Sequence, residues 1–169
     1  DPPVSVVASN LSETGCVNPT DPTKPAEGLI PYDINALFWS DTAEKTRFLA
    51  LPDSTTIDIN GEDDWVFPVG SVLMKNFRLD GKLIETRLLM NRLDLEIGVG
   101  EWEGFTYEWN DQETEATMVV GGKVKTIDDQ EWIYPSGFQC SSCHTTAAGG
   151  ALGPETAQLN KEFHYSWSS

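Results

Sequence analysis

Positive charge is what this 169-residue chain has least of: 11 Lys and Arg stand against 27 Asp and Glu, a formal net charge of −16. A phosphate backbone repels such a surface, which argues against nucleic acid as a partner. Long apolar runs are missing as well. None approaches the roughly 20 residues that a membrane helix needs, so no membrane insertion is expected. Methionine (3), cysteine (3) and histidine (2) are scarce, which keeps the set of candidate metal ligands small. There is no internal repeat, no low-complexity tract and no βαβ alternation. The opening DPPVSVVASN has no initiator Met, no basic n-region and no apolar h-region, which fits a processed piece from which a signal peptide has been removed.

A hydrophobic content of 39% with 10% aromatics is that of a folded globule, and the length suits one domain over residues 1–169. The fold class expected is mainly β (α+β), with an antiparallel sheet core. Pro19, Pro22, Pro25 and Pro31 forbid regular helix early on, so residues 1–50 are expected as a proline-rich extended arm packed on the core. A short helix is expected near Asp33 or Asn35, turning Leu37, Phe38 and Trp39 inward. From Thr55 the pattern is that of strands. TTIDI alternates, Asn60-Gly61 signals a hairpin, and WVFPVGSVLMKNFRL is an extended run broken by Pro68 and Gly70. Asp80-Gly81 signals a second hairpin into KLIETRLLMNRL. FTYEWN and TMVVGGKVKTI suggest a third, with a turn at Gly121-Gly122. Residues 133–169 hold a short-helical segment carrying the cysteine motif.

That motif is FQCSSCHTT, with Cys140, Cys143 and His144. A structural zinc needs four ligands, so a fourth would have to come from Cys16, His164 or a carboxylate. A thioredoxin-like dithiol needs a strand-to-helix βαβ setting, which the pattern lacks. A c-type haem accounts for every position. Two thiols spaced by two residues suit the two porphyrin vinyl groups, and the following imidazole suits the iron. The Gly- and Ala-rich stretch from Thr145 to Gly150 suits a backbone pressed on a flat ring. Covalent haem attachment takes place outside the cytosol, which implies a periplasmic or secreted protein. For the second axial position the candidates are Met90, then Met74, then His164, with Met118 also available. Each methionine has ordinary core filling as its other role. If none ligates, the iron is five-coordinate.

The stretches LSETGC, GLIPYDINALFWSDTAEKTRFLALP, WVFPVGSVLMKNF, ETRLLM, WEGFTYEWNDQETEATMV and WIYPSGFQCSSCHTTAAGGALGPETAQLN cover most of residues 11–160. In that order they resemble a bacterial family of secreted monohaem c-type cytochrome domains. Many of these are described only as hypothetical proteins, and some are fused to or encoded beside PQQ-dependent sugar dehydrogenase-like proteins. The resemblance implies one covalent haem c on Cys140 and Cys143, with His144 as proximal ligand and Met90 as distal ligand. Two departures stand out. RLDLEIGVGEWEG is longer than the hairpin expected there, and the chain stops soon after QLN, where relatives continue.

The function expected is an electron-transfer module that is not itself an enzyme. It would relay electrons between an extracytoplasmic oxidoreductase and another redox protein. A PQQ-dependent sugar dehydrogenase or another carbohydrate-active oxidoreductase is the partner the resemblance suggests. The alternative is a five-coordinate haem that senses gas or reacts with peroxide. A polysaccharide-binding module using Trp and Tyr platforms would leave the haem motif without a role. Arg87 has two expected partners, a haem propionate or a carboxylate such as Glu85 or Glu108. Asp41, Lys45 and Arg47 are expected in an internal ion-pair network. Neither GEDD (61–64) nor WNDQETE (109–115) has the EF-hand spacing for calcium.

Overall fold

The computed structural model describes residues 7–61, 64–96 and 98–165. Residues 1–6, and Glu62 and Asp63 of the GEDD stretch, lie outside them. Among the described residues there are twelve strands: β1 (Val17–Asn18), β2 (Asp21–Pro25), β3 (Ile30–Tyr32), β4 (Glu44–Ala50), β5 (Asp58–Ile59), β6 (Trp65–Val66), β7 (Val72–Leu79), β8 (Lys82–Leu93), β9 (Gly100–Trp109), β10 (Ala116–Met118), β11 (Lys123–Ile127) and β12 (Gln130–Tyr134). Six of them form one antiparallel sheet in the order β10-β9-β8-β7-β4-β3, and the others pair as β1-β2, β5-β6 and β11-β12.

The sheet grows from the β7–β8 hairpin. Asp80 and Gly81 both have positive φ (47° and 80°), the backbone that a tight two-residue turn between right-twisted strands demands. Pro31 sits in β3 at the sheet edge, where a missing N–H is tolerated. Side chains alternate between the two faces. One face packs Met74, Leu88, Tyr107 and Trp109 under the N-terminal segment's Leu11, Cys16 and Val17, with Met90 and Met118 partly buried alongside. The other face carries two separate clusters. Phe77, Ile84, Trp132 and Tyr134 form one, and Leu49, Phe67, Leu73, Leu89 and Ala151 form the other.

Several expectations are corrected. The chain is a β protein rather than α+β, and residues 133–169 are not a short-helical segment. They start in β12 and continue through α1 (Gly137–Ser141), a 3-10 turn at Thr146–Ala148 and α2 (Thr156–Leu159), joined by turns. Gly149, Gly150 and Gly153, all at positive φ, and the following Pro154 stop helix from propagating there. Residues 1–50 are only in part an arm, because β3 and β4 belong to the main sheet. No helix starts at Asp33 or Asn35. Leu37, Phe38 and Trp39 are 70%, 80% and 72% exposed on a loop. The turn at Gly121-Gly122 does not close a hairpin, since β11 pairs forward with β12 through Asp128-Asp129.

Candidate functional site

The cysteine motif sits on the face that carries the two separate clusters. Ser136 starts α1 with a reciprocal cap. Its hydroxyl accepts from the Gln139 N–H, and the Gln139 side-chain oxygen accepts from the Ser136 N–H at 2.8 Å. The helix then lies tightly on β9. A Cβ on Gly104 would fall 2.5 Å from Cys140 Cβ and 2.8 Å from its sulfur, and one on Gly137 would fall 2.9 Å from the Gly104 carbonyl. Backbone contact at this point needs both glycines.

After the helix the chain stays coiled, with the Cys143 and His144 N–H groups both donating to the Cys140 carbonyl at 3.1 and 3.0 Å. His144 Nδ1 lies 2.7 Å from the Gly150 carbonyl. A carbonyl only accepts, so Nδ1 carries the proton and Nε2 keeps a free lone pair. Gly150 reaches this position with φ +70°, and a Cβ there would lie 2.3 Å from Trp102 Cδ1. Burial pushes the His144 pKa down, opposed by the Gly150 hydrogen bond, with Lys75 and Arg87 adding to the fall. The imidazole is therefore neutral at neutral pH, the state a metal ligand requires.

The thiols narrow the options. All three cysteines are free, Cys140 half-buried, Cys143 exposed and Cys16 buried. Burial raises the Cys140 pKa, the opposite of the lowered value that activates a redox dithiol. Cys16 packs under the other face of the sheet and cannot complete a zinc site with the motif. Among the described residues no group of three or more His, Cys, Asp or Glu is gathered to hold a metal ion. Two unpaired thiols with a free imidazole nitrogen on the same short segment fit covalent haem attachment.

Met90 is not brought to this site. Leu89 pairs with Gly104, and Leu89 Cδ1 would lie 3.9 Å from a Cβ on it, so Leu89 shares the face that Cys140 touches. Met90, the next residue, points to the opposite face and packs on the cluster containing Leu11 and Cys16. Met74 and Met118 pack on that same cluster. The expected distal ligand is corrected accordingly: the sheet lies between every methionine and His144. His164 is exposed on the C-terminal segment. That segment is tied to the motif's face, because Lys161 Nζ bonds Asp33 Oδ2 at 2.7 Å and Asp33 Oδ1 reaches Arg47 at 3.5 Å.

Arg87 is held by Glu85, with Nε and Nη2 donating to its two oxygens at 2.5 and 3.0 Å, while Trp132 Nε1 donates to Oε2 at 2.9 Å. The expected ion pair with Glu85 is thus present. Burial still raises the Glu85 pKa against these stabilising contacts. A cleft of about 260 Å³ opens beside Arg87, lined also by Trp39, Ser40, Asp41, Trp132 and Pro135.

Sequence reasoning missed a row of polar residues across this face. Tyr32 pairs with Arg47, Arg47 with Lys75, Lys75 with Arg87, and Arg87 with Thr106. It separates the two apolar clusters. The signal was a cation inside each of the strands KTRFLA, VLMKNF and ETRLLM, in step with apolar residues two positions away. No protein-family model, curated protein or solved structure matches the chain. No helix among the described residues is long and apolar enough to cross a membrane.

Proposed function

We propose that this chain carries one haem c, attached through Cys140 and Cys143 with His144 Nε2 as proximal ligand. In this reading it serves as an extracytoplasmic electron-transfer module, relaying electrons between an oxidoreductase and another redox protein. A PQQ-dependent sugar dehydrogenase is the kind of donor suggested by the sequence resemblance. The observation that carries the reading is the His144 Nδ1 to Gly150 hydrogen bond within a C-x-x-C-H segment, because it fixes the tautomer and leaves Nε2 free. The bound haem would supply a one-electron iron couple. Gly104 and Gly137 let α1 press on the sheet and hold Cys140 still, and the Gly149-Gly150 bend holds the His144 ring.

With the methionines behind the sheet, His164 is the remaining candidate for the sixth position. That same arrangement favours a second reading, a five-coordinate haem that binds gas or peroxide. Optical spectra of the matured protein, oxidised, reduced with dithionite and exposed to carbon monoxide, separate the two. Electron transfer predicts sharp low-spin reduced bands indifferent to carbon monoxide, unchanged in Met90→Ala and made reactive in His164→Ala. A high-spin wild-type spectrum that shifts with carbon monoxide supports the second reading. Absence of a haemochrome in alkaline pyridine from the wild type sinks both.

A further inference from the structure

Part of the polar row beside the motif lacks hydrogen-bond partners. Arg47 is 4% exposed, and its Nη2 has no hydrogen-bond partner; the buried Thr106 Oγ1 has none either. Lys75, half-buried between two arginines in register, forms no hydrogen bond or ion pair among the described residues. Buried donors are nearly always satisfied, so these groups in one line mark a place where an acceptor belongs. Burial, then Arg47, Arg87 and Lys45, push the Lys75 pKa down to about 8, against the opposing pull of Glu85.

The row crosses five strands, and an apolar cluster lies on either side of it. Its position is tied to the motif, because Thr106 is two residues along β9 from Gly104, the residue against which Cys140 packs.

We infer that Arg47 and Lys75, with Thr106 beside them, form the anchoring site for the propionate carboxylates of the haem. This rests on the haem reading above. The charged and titratable groups around the site are Lys45 on β4, Glu85 on β8, Glu108 on β9, and His144, Asp33, Asp41 and Lys161 from the covering segments. Glu85, Glu108 and Asp33 already have cations of their own. The unpaired positive charge is therefore that of Lys75 and of the half-satisfied Arg47.

The test compares the matured wild type with Lys75→Met, which keeps volume, and Thr106→Val, which is isosteric. Haem content is read in alkaline pyridine, the midpoint potential as a function of pH, and propionate vibrations by resonance Raman. The expected result is full haem content in all three, with the propionate-linked inflection of the potential rising by about one pH unit in Lys75→Met. Propionate bands should shift in both variants. Haem present with inflection and bands unmoved in both variants overturns the anchoring site and leaves the haem reading intact. If the wild type carries no haem, titration with inorganic phosphate decides the rest. Stoichiometric binding lost in Lys75→Met makes the row a free-anion site and overturns the propionate assignment, and no binding overturns any anion site.

Discussion

Gly150 has two duties at once: it presents the carbonyl that orients His144, and it leaves room for Trp102. Gly150→Ala adds a Cβ into that ring at a left-handed φ, so urea denaturation should show a loss of about 2 kcal/mol, and on the proposed function haem content should fall with it. Lys75 gives a prediction with a definite sign. In the folded state its pKa is about 8 against an ordinary 10.5, so from pH 8 to 10.5 the folded chain sheds a proton that the unfolded chain keeps. Stability therefore rises with pH across that window and is lost as pH falls through 8. In the chain without attached haem, wild type should gain on the order of 2 kcal/mol over this range relative to Lys75→Met, read from urea midpoints at each pH. Equal pH slopes would show that Lys75 keeps its proton at no cost. The motif stands out in the sequence by its spacing alone. The side of the sheet that Met90 takes does not. Strand β8 is buried on both faces over most of its length, so no polar alternation tells Leu89's side from Met90's.

At the scale of elements, glycine marked one hairpin correctly and misplaced another. Asp80-Gly81 gave the β7–β8 hairpin, whereas β11–β12 closes through Asp128 and Asp129, both at positive φ (47° and 65°) and both with a Cβ. Gly121-Gly122 drew the reading to the wrong place, since its positive φ values only redirect the chain between β10 and β11. Asp129→Gly should relieve the strained turn and raise stability by about 0.5–1 kcal/mol, visible as a Tm increase of a few degrees. The loop at Leu37, Phe38 and Trp39 was misread for a related reason. Asp41 and Thr42 adopt positive φ, and the Lys45 amine donates to the Phe38 carbonyl, so the apolar triplet is held in a bend that helical spacing does not describe.

For the whole molecule, the sheet was legible as antiparallel because a tight turn at Asp80-Gly81 joins its two long strands, but its layering was not. Which segments cover which face depends on contacts between residues as distant as Leu11 and Tyr107, which no local pattern encodes. The placement of charge has a further effect. Lys45, Arg47, Lys75 and Arg87 gather on one face of the main sheet, leaving seven of the 11 basic residues elsewhere in a chain with 27 acidic ones. Copies of the protein therefore meet through fields of one sign, and light scattering at low ionic strength should give a strongly positive second virial coefficient. It should fall toward zero above about 0.1 M salt, where the screening length shrinks to roughly 10 Å. A coefficient insensitive to salt would mean that the exposed aromatic bend at Phe38 and Trp39, rather than charge, governs how two copies meet. The excess of acidic over basic residues thus makes the protein a self-dispersing colloid, whose spacing from its own kind is set by the electrolyte around it.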